Sequence, residues 1–254
     1  MRLKADTTTV YLAHAPDFAP LAALLSPEEQ ARAAGISLPG PRARAVAARA
    51  LVRTVLGTHL GANPHELRFG QGEHGKPYLL QGPEPARLHF NLSHTGDLLA
   101  LALGAQPLGV DVEAVRPLSP ALISMALGPL ERARLQARPA GEYGRAFYRA
   151  WACKEALLKA HGSGLAFGLQ RVQLSVPADL NAAPLVEAGP RAPADDWTLQ
   201  VRWLGSAHIL AVAATAPGLT LQRITPVCAR TGHWAAEPLP APSAGIPRVP
   251  DSNG

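Results

Sequence analysis

The sequence predicts an α+β fold assembled from two similar halves. Helical segments are followed by strands, and that order occurs twice, with the break near residues 112–118. Leu98–Leu108 and His208–Gly218 share a pattern, a strand of small apolar residues and then a turn carrying Pro107 or Pro217, which is a weak internal repeat. With 254 residues, 47% of them hydrophobic, the chain has ample material for a packed core.

In chain order, Thr8–Ala13 alternates and reads as a first strand. Ser26-Pro-Glu-Glu is a helix start, with Ser at the cap, Pro at the first position and acids in the first turn. Pro41–Leu60, rich in Ala, Arg, Leu and Val, is the next helix, closed by Gly61. Strands follow at Leu67–Phe69, Leu88–Leu92, Leu98–Leu103 and Leu108–Val112. Helical segments come at Pro120–Leu127 and Pro129–Arg138, then a long helix from Glu142 to Ala160, ended by His161-Gly162. Strands return at Arg171–Val176, Trp197–Leu204, His208–Ala214 and Leu219–Ile224. The halves are read as residues 1–112 and 113–228. Residues 229–254 turn to Pro, Ala, Gly and Ser, a composition expected to stay disordered.

The opening MRLKADTTTV holds no apolar run, and stretches such as Leu98–Leu103 and Ile209–Ala214 are too short to span a bilayer. Cys153 and Cys228 form no C-x-x-C pair and suggest no disulfide framework. The expectation is a cytoplasmic protein. Net charge is +5, and its source is local. No acid lies between Gln30 and His65, where Arg32, Arg42, Arg44, Arg49 and Arg53 occur. Such a patch suits a polyanion, whether nucleic acid, a phosphorylated cofactor or an acidic protein, and it equally suits a solvated helix face. Aromatic residues make up 5%, leaving few stacking platforms for single-stranded nucleic acid. There are twenty arginines but four lysines, Lys4, Lys76, Lys154 and Lys159. A compact ammonium and a planar guanidinium do different chemistry, so each lysine invites a reason.

Gly70-Gln-Gly-Glu-His-Gly75-Lys76-Pro77 nearly spells a phosphate-cradling loop, but Pro77 replaces the hydroxyl that would hold Mg²⁺. In Gly109-Val-Asp111-Val-Glu113 the two acids project from one face of a strand end. Together they repel each other unless a cation joins them, and oxygen ligands suit a hard one. In Trp151-Ala-Cys-Lys-Glu155-Ala-Leu-Leu-Lys159 the spacing puts Trp151, Glu155 and Lys159 on one helix face. Read alone, Glu155 and Lys159 are an ordinary helical ion pair. In Phe90-Asn-Leu-Ser93-His94-Thr-Gly a strand runs into a turn with several hydrogen-bond donors. Metalloprotease, serine-hydrolase and dinucleotide-fold signatures are missing from the sequence.

Taken in order, H-G-K-P, F-N-L-S-H, G-V-D-V-E and W-x-x-K-E-A-x-x-K resemble the 4′-phosphopantetheinyl transferases, in particular the long, two-half Sfp type. The resemblance runs from about Leu25 to Ile224. It implies two α/β halves about a pseudo-twofold, with the active site in the cleft between them. It further implies a monomer that moves 4′-phosphopantetheine from coenzyme A to a serine of an apo acyl or peptidyl carrier protein, releasing 3′,5′-ADP. Asp111, Glu113 and Glu155 would hold Mg²⁺, with Asp111 also meeting the cofactor. Lys159 would contact the α-phosphate and protonate the leaving group, and Glu155, or a water it orients, would take the serine proton. Ser93 and His94 would bind the phosphates, Arg44 and Arg53 would lie near the 3′-phosphate, and Gly75, Lys76 and Pro77 would lie against the adenine end. Glu28 and Glu29 stand in a region where relatives carry basic residues, a departure from the pattern. A basic enzyme is expected to steer an acidic carrier, with no role for nucleic acid or membrane. The contrasting hypotheses are a non-catalytic polyanion binder built on the arginine helix and a relative that binds coenzyme A without chemistry.

Overall fold

The computed structural model describes residues 6–80, 88–175, 177–190, 197–228 and 233–239. In the first half the strands are β1 (Thr7–His14), β2 (Phe69–Gln71), β3 (Pro77–Leu79), β4 (His89–Thr95) and β5 (Leu98–Gly104). Next come β6 (Leu108–Ala114), β7 (Gln173–Ser175), β8 (Leu185–Ala188), β9 (Thr198–Leu204), β10 (His208–Ala214), β11 (Gly218–Cys228) and β12 (His233–Pro238). The helices are α1 (Ala15–Phe18), α2 (Pro27–Ala34), α3 (Pro39–Leu60), α4 (Pro120–Ala126), α5 (Pro129–Gln136) and α6 (Tyr143–His161). None is long and apolar enough to cross a membrane, among the described residues.

The two patterned strands are central. β5 pairs antiparallel with β1 and β4, and β10 pairs antiparallel with β6 and β9. A strand flanked on both edges and covered on both faces carries no polar alternation, which is why both read as continuous apolar runs. The full sheets run β12-β11-β1-β5-β4 and β6-β10-β9. Leu108–Val112, assigned to the first half from sequence, therefore builds the second sheet. Conversely β11, assigned from sequence to the second half, lies parallel to β1, from Thr7 opposite Gly218 to Leu12 opposite Arg223.

Some expectations need correction. Part of the tail expected to be disordered forms β12, antiparallel to β11, with Ile224 opposite Ala236. Trp234 explains why: its indole N–H donates to Thr58 Oγ1 at 3.0 Å and its ring meets Tyr11 edge-on at 5.4 Å. Residues 229–232 and 240–254 lie outside the described residues. The helix expected from Pro41 begins at Pro39, whose fixed φ suits a first helical position. It ends as expected at Gly61, which is left-handed at φ 63°.

Three apolar layers result. α3 packs on one face of the first sheet through Leu51, Val55 and Leu56 against Tyr11, Leu99 and Leu101. α6 packs on the second sheet through Phe147, Cys153, Ala156 and Leu157 against Ile209, Ala211 and Ala213. Between the sheets lie Val10, Leu12, Ala100, Ala102, Val110, Val112, Leu210 and Val212. The sheets join where β4 meets β6 without a backbone ladder. Asn91 Oδ1, Ser93 Oγ and Thr95 Oγ1 instead accept from the N–H groups of Val110, Val112 and Ala114 at 2.9, 3.3 and 3.2 Å.

Candidate active site

Gly109 determines how closely α6 approaches β6. A Cβ there would lie 2.1 Å from the Ala156 carbonyl oxygen and 2.3 Å from Ala160 N, so only glycine allows the contact. Two residues on, Asp111 occupies the same face by strand alternation, and Glu113 follows it. Helical spacing supplies the facing groups Trp151, Glu155 and Lys159. Lys159 Nζ donates to Asp111 Oδ1 at 2.5 Å and to Ser93 Oγ at 3.1 Å. Ser93 Oγ in turn donates to Asp111 Oδ1 at 2.8 Å. Trp151 Nε1 donates to Glu113 Oε1 at 3.1 Å.

The electrostatics are those of crowded acids. Burial, reinforced by the Asp111 charge, pushes the Glu113 carboxyl up to about 7. The same two causes raise Glu155, with Lys159 opposing. Asp111 is 3% exposed, and its Oδ2 is buried without a hydrogen-bond partner. Among the described residues, no group of three or more His, Cys, Asp or Glu is arranged to hold a metal ion. The expected trio of Asp111, Glu113 and Glu155 is thus not drawn into a ligand set, because Lys159 takes Asp111 Oδ1 and Trp151 takes Glu113 Oε1. Even so, an orphaned carboxylate oxygen beside two acids that resist ionising is chemistry that fits a hard cation.

A pH effect follows. Glu113 and Glu155 hold their protons more tightly in the folded chain than in the unfolded one, so the folded state binds more protons and stability falls as pH rises. For Glu113 the window runs from the usual carboxylate range to about 7. The melting temperature of ligand-free protein is expected to decline across this window, and less steeply in Glu113→Gln. Parallel melting curves for the two proteins would show that Glu113 titrates normally.

The other predicted residues divide. His94, on the exposed side of β4, is held below its usual range by burial and by the charges of Arg44 and Lys159. Arg44 also pairs with Asp97 at 3.5 Å, and the charges of Arg44, Lys159 and Asp111 all act on His94, which sets both basic groups beside the acid cluster. Gly75, Lys76 and Pro77 lie on the β2–β3 hairpin. Lys76 and Pro77 line a cleft of about 510 Å³ with His74, Phe90, His161 and Ser163. Lys76 Nζ donates to the carbonyl oxygens of Leu108 and Ala160, each at 3.0 Å. Arg53 does not join the site. It is 2% exposed, pairs with Glu29 at 2.6 Å and donates to the Pro64 and Leu67 carbonyls, pinning α2 and the 64–67 turn to α3. Glu29, the apparent departure from the family pattern, serves that contact and the cap of α2. The part Asn91 and Thr95 play in joining β4 to β6 does not follow from the sequence reading of that stretch. Polar residues at every second place of a strand, Asn91, Ser93 and Thr95, were the available signal.

Fold and site together define a protein that sets a lysine and three carboxylates in a seam between two sheets, with further basic groups beside it. Comparison with known proteins places that class. A family described as 4′-phosphopantetheinyl transferase, N-terminal, matches residues 12–106, and the 4′-phosphopantetheinyl transferase superfamily matches residues 107–213. The 4′-phosphopantetheinyl transferase HetI of Nostoc sp. is 37% identical over 171 residues, covering 65% of this chain and 72% of HetI. A phosphopantetheinyl transferase of Thraustochytrium sp. is 32% identical over 208 residues, 76% of this chain and 71% of that one. The 4′-phosphopantetheinyl transferase Sfp of Bacillus subtilis is 31% identical over 129 residues, 51% of this chain and 56% of Sfp. The chain belongs to the 4′-phosphopantetheinyl transferase superfamily.

Proposed function

We propose that this chain transfers the 4′-phosphopantetheine group of coenzyme A to a serine hydroxyl of an apo acyl or peptidyl carrier protein, releasing 3′,5′-ADP. The observation that carries the reading is the contact of Lys159 with Asp111 and Ser93, with Glu113 and Glu155 alongside, next to Arg44 and His94. Asp111, Glu113 and Glu155 would hold Mg²⁺, which when bound supplies charge neutralisation for the pyrophosphate. Asp111 Oδ2 is the free acceptor for it. Ser93 and His94 bind the phosphates, and Arg44 lies near the 3′-phosphate. The hairpin backbone at Gly75, Lys76 and Pro77 lies against the adenine end, with Lys76 and Pro77 lining the cleft that reaches Ala160 beside Lys159. Glu155, its proton affinity raised by burial and Asp111, takes the serine proton directly or through a water. Lys159 contacts the α-phosphate and donates a proton to the departing oxygen.

The pseudo-twofold belongs to the same reading. Each half would consist of a strand, a long helix and a hairpin. β1, α3 and β4–β5 then correspond to β6, α6 and β9–β10, and the sheet orders β1-β5-β4 and β6-β10-β9 agree with this. The positive net charge suits an acidic carrier, met by a monomer in the cytoplasm.

The test is the intact mass of an apo carrier protein after incubation with this chain, coenzyme A and Mg²⁺. A gain of one phosphopantetheine, abolished by EDTA, is expected. Coenzyme A binding with no gain on any acyl or peptidyl carrier would reduce the chain to a binder. Salt-steep DNA binding without coenzyme A affinity would overturn the reading.

A further inference from the structure

We infer that Lys76 is a positioning residue, whose ammonium fixes the spacing of α6 from β6 and so places Glu155 and Lys159 against Asp111 and Glu113. The inference rests on the transfer reading above. The ammonium does not point at an open phosphate site. Its two hydrogen bonds go to Leu108, the first residue of β6, and to Ala160, the residue after Lys159, both at 3.0 Å. Leu108 adjoins Gly109, where the backbones of the strand and helix touch at Ala156 and Ala160. The last turn of α6 is therefore seated on β6 through Gly109 and tied to its first residue through Lys76. Both acceptors are backbone oxygens, so the ammonium ties the helix backbone directly to the strand backbone.

The hairpin is shaped for this reach. Gly75 is left-handed at φ 80°, Gly75 N donates to Gly72 O, and Gly72 N donates to Lys76 O, each at 2.9 Å. The turn thereby fixes Lys76 across the cleft from Gly162, where a Cβ would lie 3.7 Å from Lys76 Cδ. Ala160 belongs to the last helical turn, whose carbonyls lack intrahelical partners and favour a cation. No carboxylate pairs with Lys76 among the described residues. Burial accordingly pushes its ammonium down to about 8. A compact ammonium on a flexible stem suits two carbonyls on different elements better than a planar fork does, which gives this rare lysine its reason.

The test is Lys76→Met in the full chain. At saturating coenzyme A, kcat is expected to fall on the order of 10–100-fold, the scale on which an ångström of misplacement acts. The KM for coenzyme A should change by less than about threefold, since Pro77 and the hairpin backbone remain. Unchanged kcat with a raised KM would overturn the inference and make Lys76 a plain cofactor contact. Gly109→Ala, which leaves Lys76 in place and pushes the helix off the strand, should reproduce the kcat loss; normal kcat there also overturns it. Hydrogen exchange decides the point without turnover. Amides of Leu108–Asp111 and Ala156–Ala160 should exchange faster in Lys76→Met, and unchanged exchange counts against the spacing role. If the wild-type chain modifies no carrier, the transfer reading fails while the exchange data still decide the spacing.

Discussion

Glu155→Gln is expected to lower carrier modification by about 10²–10⁴-fold, the range over which a positioned acid or base acts, while ligand-free protein melts at a higher temperature than wild type. The two effects share one cause. Burial and the Asp111 charge make the ionised Glu155 costly in the folded chain. Glutamine has the same shape and no charge, so it relieves that repulsion and leaves α6 packed as before. It also removes the acceptor for the serine proton and one oxygen that would face a cation. The measurement pairs carrier modification, followed by intact mass, with calorimetric melting of the same samples. A near-normal rate would take Glu155 out of both roles. A lost rate with a lower melting temperature would instead mean that the glutamate stabilises the fold, and that its activity defect is indirect.

Most of the secondary structure was legible because local rules and tertiary demands agree. Ser26 caps α2 in the geometry its sequence announces, with Glu29 N donating to Ser26 Oγ and Ser26 N donating to the Glu29 carboxylate. Gly61 and Gly162 end α3 and α6 in left-handed conformations. The sheet membership of β6 and β11 left no local mark. The apolar run of β6 is equally compatible with either sheet, and only its pairing with β10 decides. β12 escaped for a related reason, since a Pro- and Ala-rich segment becomes a strand only where Trp234 finds Tyr11 and Thr58. At the site, alternation and helical spacing group Asp111 with Glu113 and Glu155 with Lys159. The contact of those pairs depends on Gly109, whose place in the G-V-D-V-E motif does not disclose its close approach to α6. Arg53 and Arg44 lie on the same helix, nine positions apart in an acid-free run. Only burial separates the arginine that pins the fold from the one that borders the acid cluster.

Lys154 shows the same separation at its sharpest, one residue before Glu155. It is wholly buried, about 100° round α6 from Glu155. Its ammonium donates to Glu131 Oε2 at 2.5 Å, Ala126 O at 3.0 Å and Leu169 O at 3.2 Å. Glu131 also accepts from Gly128 N at 3.0 Å and Leu174 N at 3.2 Å. One ion pair thus gathers the end of α4, the start of α5, the 169–171 turn and β7 onto α6. Lys154→Met is expected to destabilise the protein by about 3–5 kcal/mol, because Glu131 remains buried without its cation. For a chain of this size that is roughly 6–20 °C in melting temperature. Lys154→Met combined with Glu131→Leu should recover part of the loss, since an apolar pair leaves no buried charge behind. Below the melting transition, Lys154→Met should retain kcat within a few fold, because none of its contacts is shared with Asp111, Glu113, Glu155 or Lys159. Urea unfolding and carrier modification at one low temperature measure both. A lost kcat in a folded Lys154→Met protein would mean that the buried pair transmits to the acid cluster through α6, and the two faces of that helix would no longer count as independent.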